Sequence, residues 1–96
     1  MYKITYNPLV SKDVDKISPP ILVKIHSAIE DKLTTYPESY GKPLRRNLKG
    51  HWKLRIGDYR VIFKIEKPVV KILMIEHRAI VYKYITARIK RLSSID

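Results

Sequence analysis

The chain has 96 residues, 45% of them apolar, with no cysteine and a net charge of +11. That composition argues against disorder and excludes disulfides, thiolate zinc sites and cysteine nucleophiles; it suits one domain, residues 1–96, with a single modest core. No apolar run approaches the roughly 18 residues of a membrane span, and nothing in the pattern points to a membrane.

MYKITYNPLV lacks the apolar run and small-residue site of an export signal, so an export signal is not expected. Tyr2–Tyr6 alternates and reads as a short strand. Asn7 and Pro8 read as N-cap and N1 of a helix with Val10, Val14 and Ile17 on one side. Ser18-Pro19-Pro20 ends that helix and starts another, whose stripe is Leu22, Ile25, Ile29 and Leu33. This is a helical hairpin whose apolar faces need a sheet to cover. His26 reads as a partly exposed helix residue. Tyr36–Gly41 is turn chemistry, and Glu38 reads as a solvated loop carboxylate.

The charge is unevenly placed. Residues 1–41 hold five basic and five acidic groups, whereas residues 42–96 hold 15 basic and four acidic. Such asymmetry fits nucleic acid, an anionic surface or an acidic protein partner; a generally basic proteome would give the same excess. The basic part opens with Lys42–Gly50. There Leu44 and Leu48 are expected to anchor the segment while Arg45, Arg46 and Lys49 face out.

His51–Ile56 alternates strictly, as does Tyr59–Ile65, and Gly57-Asp58 between them carries the type II′ hairpin signature. That turn fixes a register: Ile56 faces Tyr59, Arg55 faces Arg60, Leu54 faces Val61, Lys53 faces Ile62 and Trp52 faces Phe63. One face is apolar. The other gathers Lys53, Arg55 and Arg60 beside Ile62 and Lys64. Directly opposed like charges cost roughly 0.2–1 kcal/mol, so Arg55 against Arg60 suggests use, although splayed solvated charges explain it too. Val69–Ile75 is apolar at nearly every position and reads as a central strand buried on both faces. After Glu76-His77-Arg78 comes a helical stripe of Val81, Ile85, Ile89 and Leu92, with Lys83, Arg88, Lys90 and Arg91 outside. Ser93–Asp96 is expected to fray.

No phosphate-binding glycine loop, metal-ligand motif or nucleophile elbow is present, and nothing points to a cofactor. What remains is a set of forked and point-charge donors suited to phosphate: Arg55, Arg60 and Lys53. At the end of Val69–Ile75 stand His77, Arg78 and Tyr82. They approach Arg60 if that strand neighbours the hairpin, with Arg78 and Tyr82 spaced i, i+4. RNA brings its own nucleophile, the 2′-hydroxyl, so a protein that cuts it needs in-line positioning, charge neutralisation and proton transfer. Arginines, a histidine and a tyrosine fit those tasks. They fit plain binding equally well, and His77 fits a capping role equally well.

Pro43–Gly50 (P-L-R-R-x-L-x-G), Leu54–Phe63 (L-R-x-G-x-Y-R-V-I-F) and His77–Tyr82 (H-R-x-x-V-Y), in this order, resemble the RelE/ParE toxin superfamily of toxin–antitoxin systems. The resemblance spans essentially the whole chain. It implies an α+β, microbial-RNase-like fold: a four-stranded, mostly antiparallel sheet, an N-terminal helical hairpin and a C-terminal helix. It implies a cytoplasmic toxin, a monomer when free and a hetero-oligomer with a cognate antitoxin. In the RelE branch it implies metal-independent cleavage of ribosome-bound mRNA, leaving a cyclic phosphate and a 5′-hydroxyl. Arg60 then matches the arginine that stabilises the scissile phosphate, Lys53 and Arg55 the basic strand, and Arg78 and Tyr82 the C-terminal arginine and substrate-orienting tyrosine. His77 takes a place where some members carry a proton-transferring or supporting histidine. Lys49, Arg45, Arg46 and Lys83 join Arg55 as RNA-binding candidates, including toward ribosomal RNA. Two departures stand out. Glu38 and Glu76 are poor matches to the glutamate some members use, and the chain runs about one helix past Tyr82. The ParE branch shares the fold but resembles gyrase poisons that cut no RNA; a non-catalytic basic binding module is the remaining alternative.

Overall fold

Gly57 adopts φ +57° while Asp58 keeps a negative φ, the combination of a type II′ rather than a type I′ turn. The turn joins β3 (Trp52–Ile56) to β4 (Tyr59–Glu66) in the expected register, from Ile56 opposite Tyr59 to Trp52 opposite Phe63. The structure, a computed structural model, describes residues 1–93. Before the hairpin come β1 (Lys3–Tyr6), α1 (Val10–Val14), α2 (Pro19–Ala28), a short α3 (Pro37–Tyr40) and β2 (Lys42–Pro43); after it come β5 (Val69–His77) and α4 (Val81–Ser93).

The fold is α+β. Its sheet has five strands rather than four, in the order β1-β5-β4-β3-β2, with β1 parallel to β5 and the other pairs antiparallel. The extra strand, β2, is two residues pairing with Lys53 and Trp52, too short to leave an alternation in the sequence. β5 is an interior strand between β1 and β4, in keeping with a run that is apolar at nearly every position, while β4 takes the middle of the sheet.

The helical hairpin packs as its stripes demand. Ile25, Ile29 and Leu33 are buried with Leu54, Val61, Phe63, Ile72 and Ile75 of the sheet. α1 is shorter than expected. Asn7 Oδ1 takes the Leu9 N–H at 2.9 Å, and regular helix begins only at Val10 and ends at Val14, leaving Ile17 buried in the turn beyond. Ser18 precedes α2 in extended backbone, with prolines in the first turn, but its side chain makes no capping bond. α2 continues into a π-helical turn, Ile29–Leu33. Tyr36–Gly41 is not only a turn: Pro37–Tyr40 makes one helical turn with Pro37 buried.

The second sheet face is not simply polar. Ile62, expected among cations, is 1% exposed and packs with Leu44, Met74, Val81 and Ile85 under α4. Leu44 and Leu48 do anchor their segment here. β1 ends at Tyr6, so the outer edge of β5 beyond Ile72 lacks a strand partner. Asp13 fills the gap. Its Oδ2 accepts the Ile75 N–H at 3.0 Å, and both carboxylate oxygens accept from Arg88 of α4, at 2.9 and 2.7 Å. Arg88 also donates to the Leu73 carbonyl at 2.9 Å. Arg88 is therefore turned inward, contrary to the expectation that it faces out. No helix among the described residues is long and apolar enough to cross a membrane. Of the tail expected to fray, Ser93 closes α4 and residues 94–96 lie outside the described residues.

Candidate active site

Side chains directly paired across antiparallel strands point to the same face. Arg55 pairs with Arg60, and Arg60 with Glu76, so these three form one row across β3, β4 and β5 near the hairpin turn. The next row inward is Lys53, Ile62 and Met74. α4 covers the apolar part of this face and leaves the hairpin end open. Arg55 is exposed and Arg60 half-buried. The Arg60 guanidinium folds back on the turn, its Nη1 donating to the carbonyls of Gly57 at 3.0 Å and Tyr59 at 2.9 Å. Those bonds offset part of its charge and leave its other nitrogens for an anion.

Tyr82 enters from the first turn of α4. Its hydroxyl oxygen accepts from Lys53 Nζ at 2.8 Å, and the same ammonium lies 5.4 Å from the ring centroid. Because Lys53 is the donor, the Tyr82 proton stays available. Tyr82 is 50% exposed, so its side chain is within reach of a ligand from solvent. Lys53, Arg55, Arg60 and Tyr82 thus share the sheet face on which the hairpin register places the cations.

His77 and Arg78 do not join them. His77 pairs with Tyr59, on the opposite face from Arg60, and its ring stands edge-on to Tyr59 with centroids 5.5 Å apart. Its Nδ1 accepts the Ala79 N–H at 3.0 Å, which puts the neutral ring's proton on Nε2. Arg78 lies in the turn before α4, so helical i, i+4 spacing to Tyr82 does not apply. It closes on the hairpin instead: its N–H donates to the Asp58 carbonyl at 2.7 Å, and Nε sits 3.4 Å from Asp58 Oδ1. Arg45, Arg46 and Lys49 are exposed around a 3-10 turn, Arg46–Leu48, held by Leu48. Lys83 is exposed on α4, 5.5 Å from the Tyr84 ring centroid.

The sequence reading gives Asp13 no role, turns Arg88 outward and sets Glu76 aside. Asp13 and Arg88 are each spaced with the apolar stripe of their helix (Val10, Asp13, Val14; Ile85, Arg88, Ile89), the available signal that they turn inward. Glu76 is 8% exposed, at the end of an apolar run where a carboxylate is out of place.

A family model described as the ParE toxin of the type II toxin–antitoxin system parDE matches residues 4–82. The chain belongs to the RelE/ParE toxin superfamily. It is a toxin of a type II toxin–antitoxin system. Among RelE/ParE relatives, Toxin RelG of Mycobacterium tuberculosis is 34% identical over 84 residues, covering 85% of this chain and 97% of RelG. Toxin RelE of the same organism is 29% identical over 84 residues, covering 85% of this chain and 87% of that toxin. The toxin–antitoxin complex RelBE2 from M. tuberculosis superimposes with a TM-score of 0.76 at 33% identity, over 80% of this chain and 98% of the matched one. The RelB–RelE antitoxin–toxin complex of Methanococcus jannaschii, 16% identical over 82% of this chain and 95% of its own, shares the fold with a TM-score of 0.63. The family match stops at Tyr82, so all of α4 after its first two residues lies outside it.

Proposed function

We propose that this toxin is an endoribonuclease that cuts ribosome-bound mRNA through attack of a 2′-hydroxyl on the adjacent phosphate. The observation that carries this reading is the joint placement of Arg55, Arg60 and the Lys53–Tyr82 pair on one sheet face beside the hairpin turn. Two forked guanidiniums and an ammonium match the charge that gathers on a pentacoordinate phosphorane. In this scheme O2′ bonds to phosphorus, the bond from phosphorus to O5′ breaks, and a cyclic phosphate and a 5′-hydroxyl remain. Arg60 and Arg55 hold the scissile phosphate, and Lys53 supports it. Tyr82 orients the substrate or gives its proton to the leaving oxygen. Arg78 supports the site by fastening the hairpin turn. His77 acts through Tyr59 and the α4 approach rather than on the phosphate. Arg45, Arg46, Lys49 and Lys83 extend the positive surface toward ribosomal RNA.

The similarity to toxins named RelG and RelE, and to toxins solved with their antitoxins, supports a cognate antitoxin as partner. Cytoplasmic residence of a free monomer that becomes a hetero-oligomer with that antitoxin belongs to the same reading.

Arg60→Ala is expected to abolish growth arrest on induction with little change in melting temperature, since Arg60 lies outside both apolar clusters. Undiminished arrest would sink the phosphate clamp. The deciding experiment is induction in cells followed by mapping of mRNA 5′ ends, with codon-phased cuts expected. The ParE description of the matching family model favours a second reading, gyrase inhibition. Intact mRNA with loss of supercoiling would establish that one instead.

A further inference from the structure

We propose that Lys42 is the centre of a second phosphate subsite, which holds the phosphate on the 3′ side of the cut. The assignment rests on the nuclease reading above. β2 pairs Lys42 with Lys53, so both side chains leave the sheet on one face. Three further observations fix which face that is. Pro43 pairs with Trp52, which packs with the helical-hairpin cluster on the far side. Leu44, two positions from Lys42, lies in the cluster under α4. Lys53 itself reaches Tyr82 of α4. Lys42 therefore belongs to the cationic surface beside the hairpin turn.

Its neighbours on that surface are positive. Lys42 is exposed, and its ammonium makes no hydrogen bond, ion pair or ring contact. Beside it stands Lys53, already bound to the Tyr82 hydroxyl oxygen. Diagonal to it stands Arg55, about 7–8 Å away on the next strand. Among the described residues, no carboxylate pairs with Lys42, Lys53, Arg55 or Arg60. Asp13 is fixed by Arg88, Asp58 faces Arg78, Glu66 faces Lys64 and Lys71, and Glu76 faces Lys16. Opposed like charges destabilise a sheet, and an anion seated between them reverses the sign of that effect.

The spacing suits a polyanion. The scissile phosphate lies on the Arg55–Arg60 row. Lys42 and Lys53 form the next row inward, two residues or about 7 Å along the strand, a step that an extended RNA backbone matches from one phosphate to the next. Direction follows from Tyr82. Lys53 holds the Tyr82 hydroxyl on the inward row, so a leaving 5′-oxygen that takes the Tyr82 proton lies on that side. This oxygen belongs to the nucleotide after the cut. The chain thus runs from the scissile phosphate past Tyr82 and brings its next phosphate to Lys42, with Lys53 between the two.

The test uses the full chain, programmed ribosomes and single-turnover cleavage below saturation, at the site that end mapping identifies. One mRNA carries a neutral methylphosphonate in place of the phosphate 3′ of the cut, and another carries it 5′ of the cut. Lys42→Gln is expected to lower the rate on native mRNA about tenfold, the loss of one charge-assisted contact, with an unchanged melting temperature. The 3′ methylphosphonate should cost the wild type the same factor. Combined, the two changes should cost no more than either alone, because both remove one contact. Lys42→Arg should cut native mRNA at close to the wild-type rate. Lys24→Gln, the same loss of charge at an exposed position of α2, should leave every rate unchanged. A wild-type rate in Lys42→Gln would make the lysine a guard of the sheet edge and overturn the subsite. So would a 3′ methylphosphonate that costs the wild type nothing, losses that multiply, or coupling to the 5′ linkage instead. Intact mRNA with the wild-type protein would overturn the nuclease reading and this proposal with it.

Discussion

Asp13 shows how one side chain can hold two distant parts of the chain. It accepts the Ile75 N–H that a longer β1 would have taken, and it receives both prongs of Arg88, 75 positions away. With side chains 4% and 17% exposed, neither group is well hydrated. Removing one partner strands the other, which typically costs about 3–5 kcal/mol. Arg88→Ala should therefore lower unfolding stability by about that much in urea titrations, and Arg88→Lys by less, because an ammonium keeps charge but not the fork. Tyr6 offers a contrast. Burial, reinforced by the Glu30 carboxylate that its hydroxyl meets at 3.2 Å, raises its pKa from the usual 10 to about 12. The folded state then holds a proton that the unfolded chain releases first. This contribution is complete below pH 10 and is lost as the pH rises toward 12. Stability measured across that window should fall more steeply for the wild type than for Tyr6→Phe. Neither effect was legible in the sequence, because each depends on a partner that only the tertiary arrangement supplies.

The β3–β4 hairpin was legible down to its pairing, since Gly57-Asp58 and two clean alternations leave one register. That register correctly placed Lys53, Arg55 and Arg60 on one face. The α2 stripe and the interior, rather than central, position of β5 were also readable from the pattern of apolar residues. β5 itself hid more. A strand buried on both faces has no alternation, so nothing in Val69–Ile75 told which side His77 would take. The register shift between Ile62 and Phe63 is likewise silent in the sequence. His77 therefore parts from Arg60, and Glu76 takes the place beside it. Ile62 was the clue to α4: a single apolar residue among cations marks where a helix must land. Ile85 packs on that spot and is 1% exposed, so Ile85→Ala should cost about 2–5 kcal/mol. Hydrogen exchange should accelerate across α4 in that variant before it does in α2. Gly41 marks a similar constraint at the other sheet face. A Cβ there would stand 2.5 Å from Phe63 Cζ, so Gly41→Ala should destabilise by about 1–3 kcal/mol.

Charge and architecture divide the molecule between two faces. The helical hairpin comes from the part of the sequence with no net charge, while the hairpin strands and α4 carry the excess. Binding of single-stranded RNA through Lys53, Arg55 and Arg60 would release about one counterion per phosphate neutralised. Three contacts give a slope of about −2 in log affinity against log salt, and Lys53→Gln should flatten it by about 0.7. A slope unchanged by that substitution would place the RNA elsewhere. The Asp13–Arg88 clasp finally bears on how the protein is born. Asp13 leaves the ribosome well before Arg88, which is made 75 residues later. While the chain is still being translated, the β5 edge has no arginine to close it and the Ile62 face has no helix to cover it. Lys53 likewise waits for Tyr82. The fold is thus closed only once α4 has been made, and a chain released before then carries an open strand edge that invites aggregation.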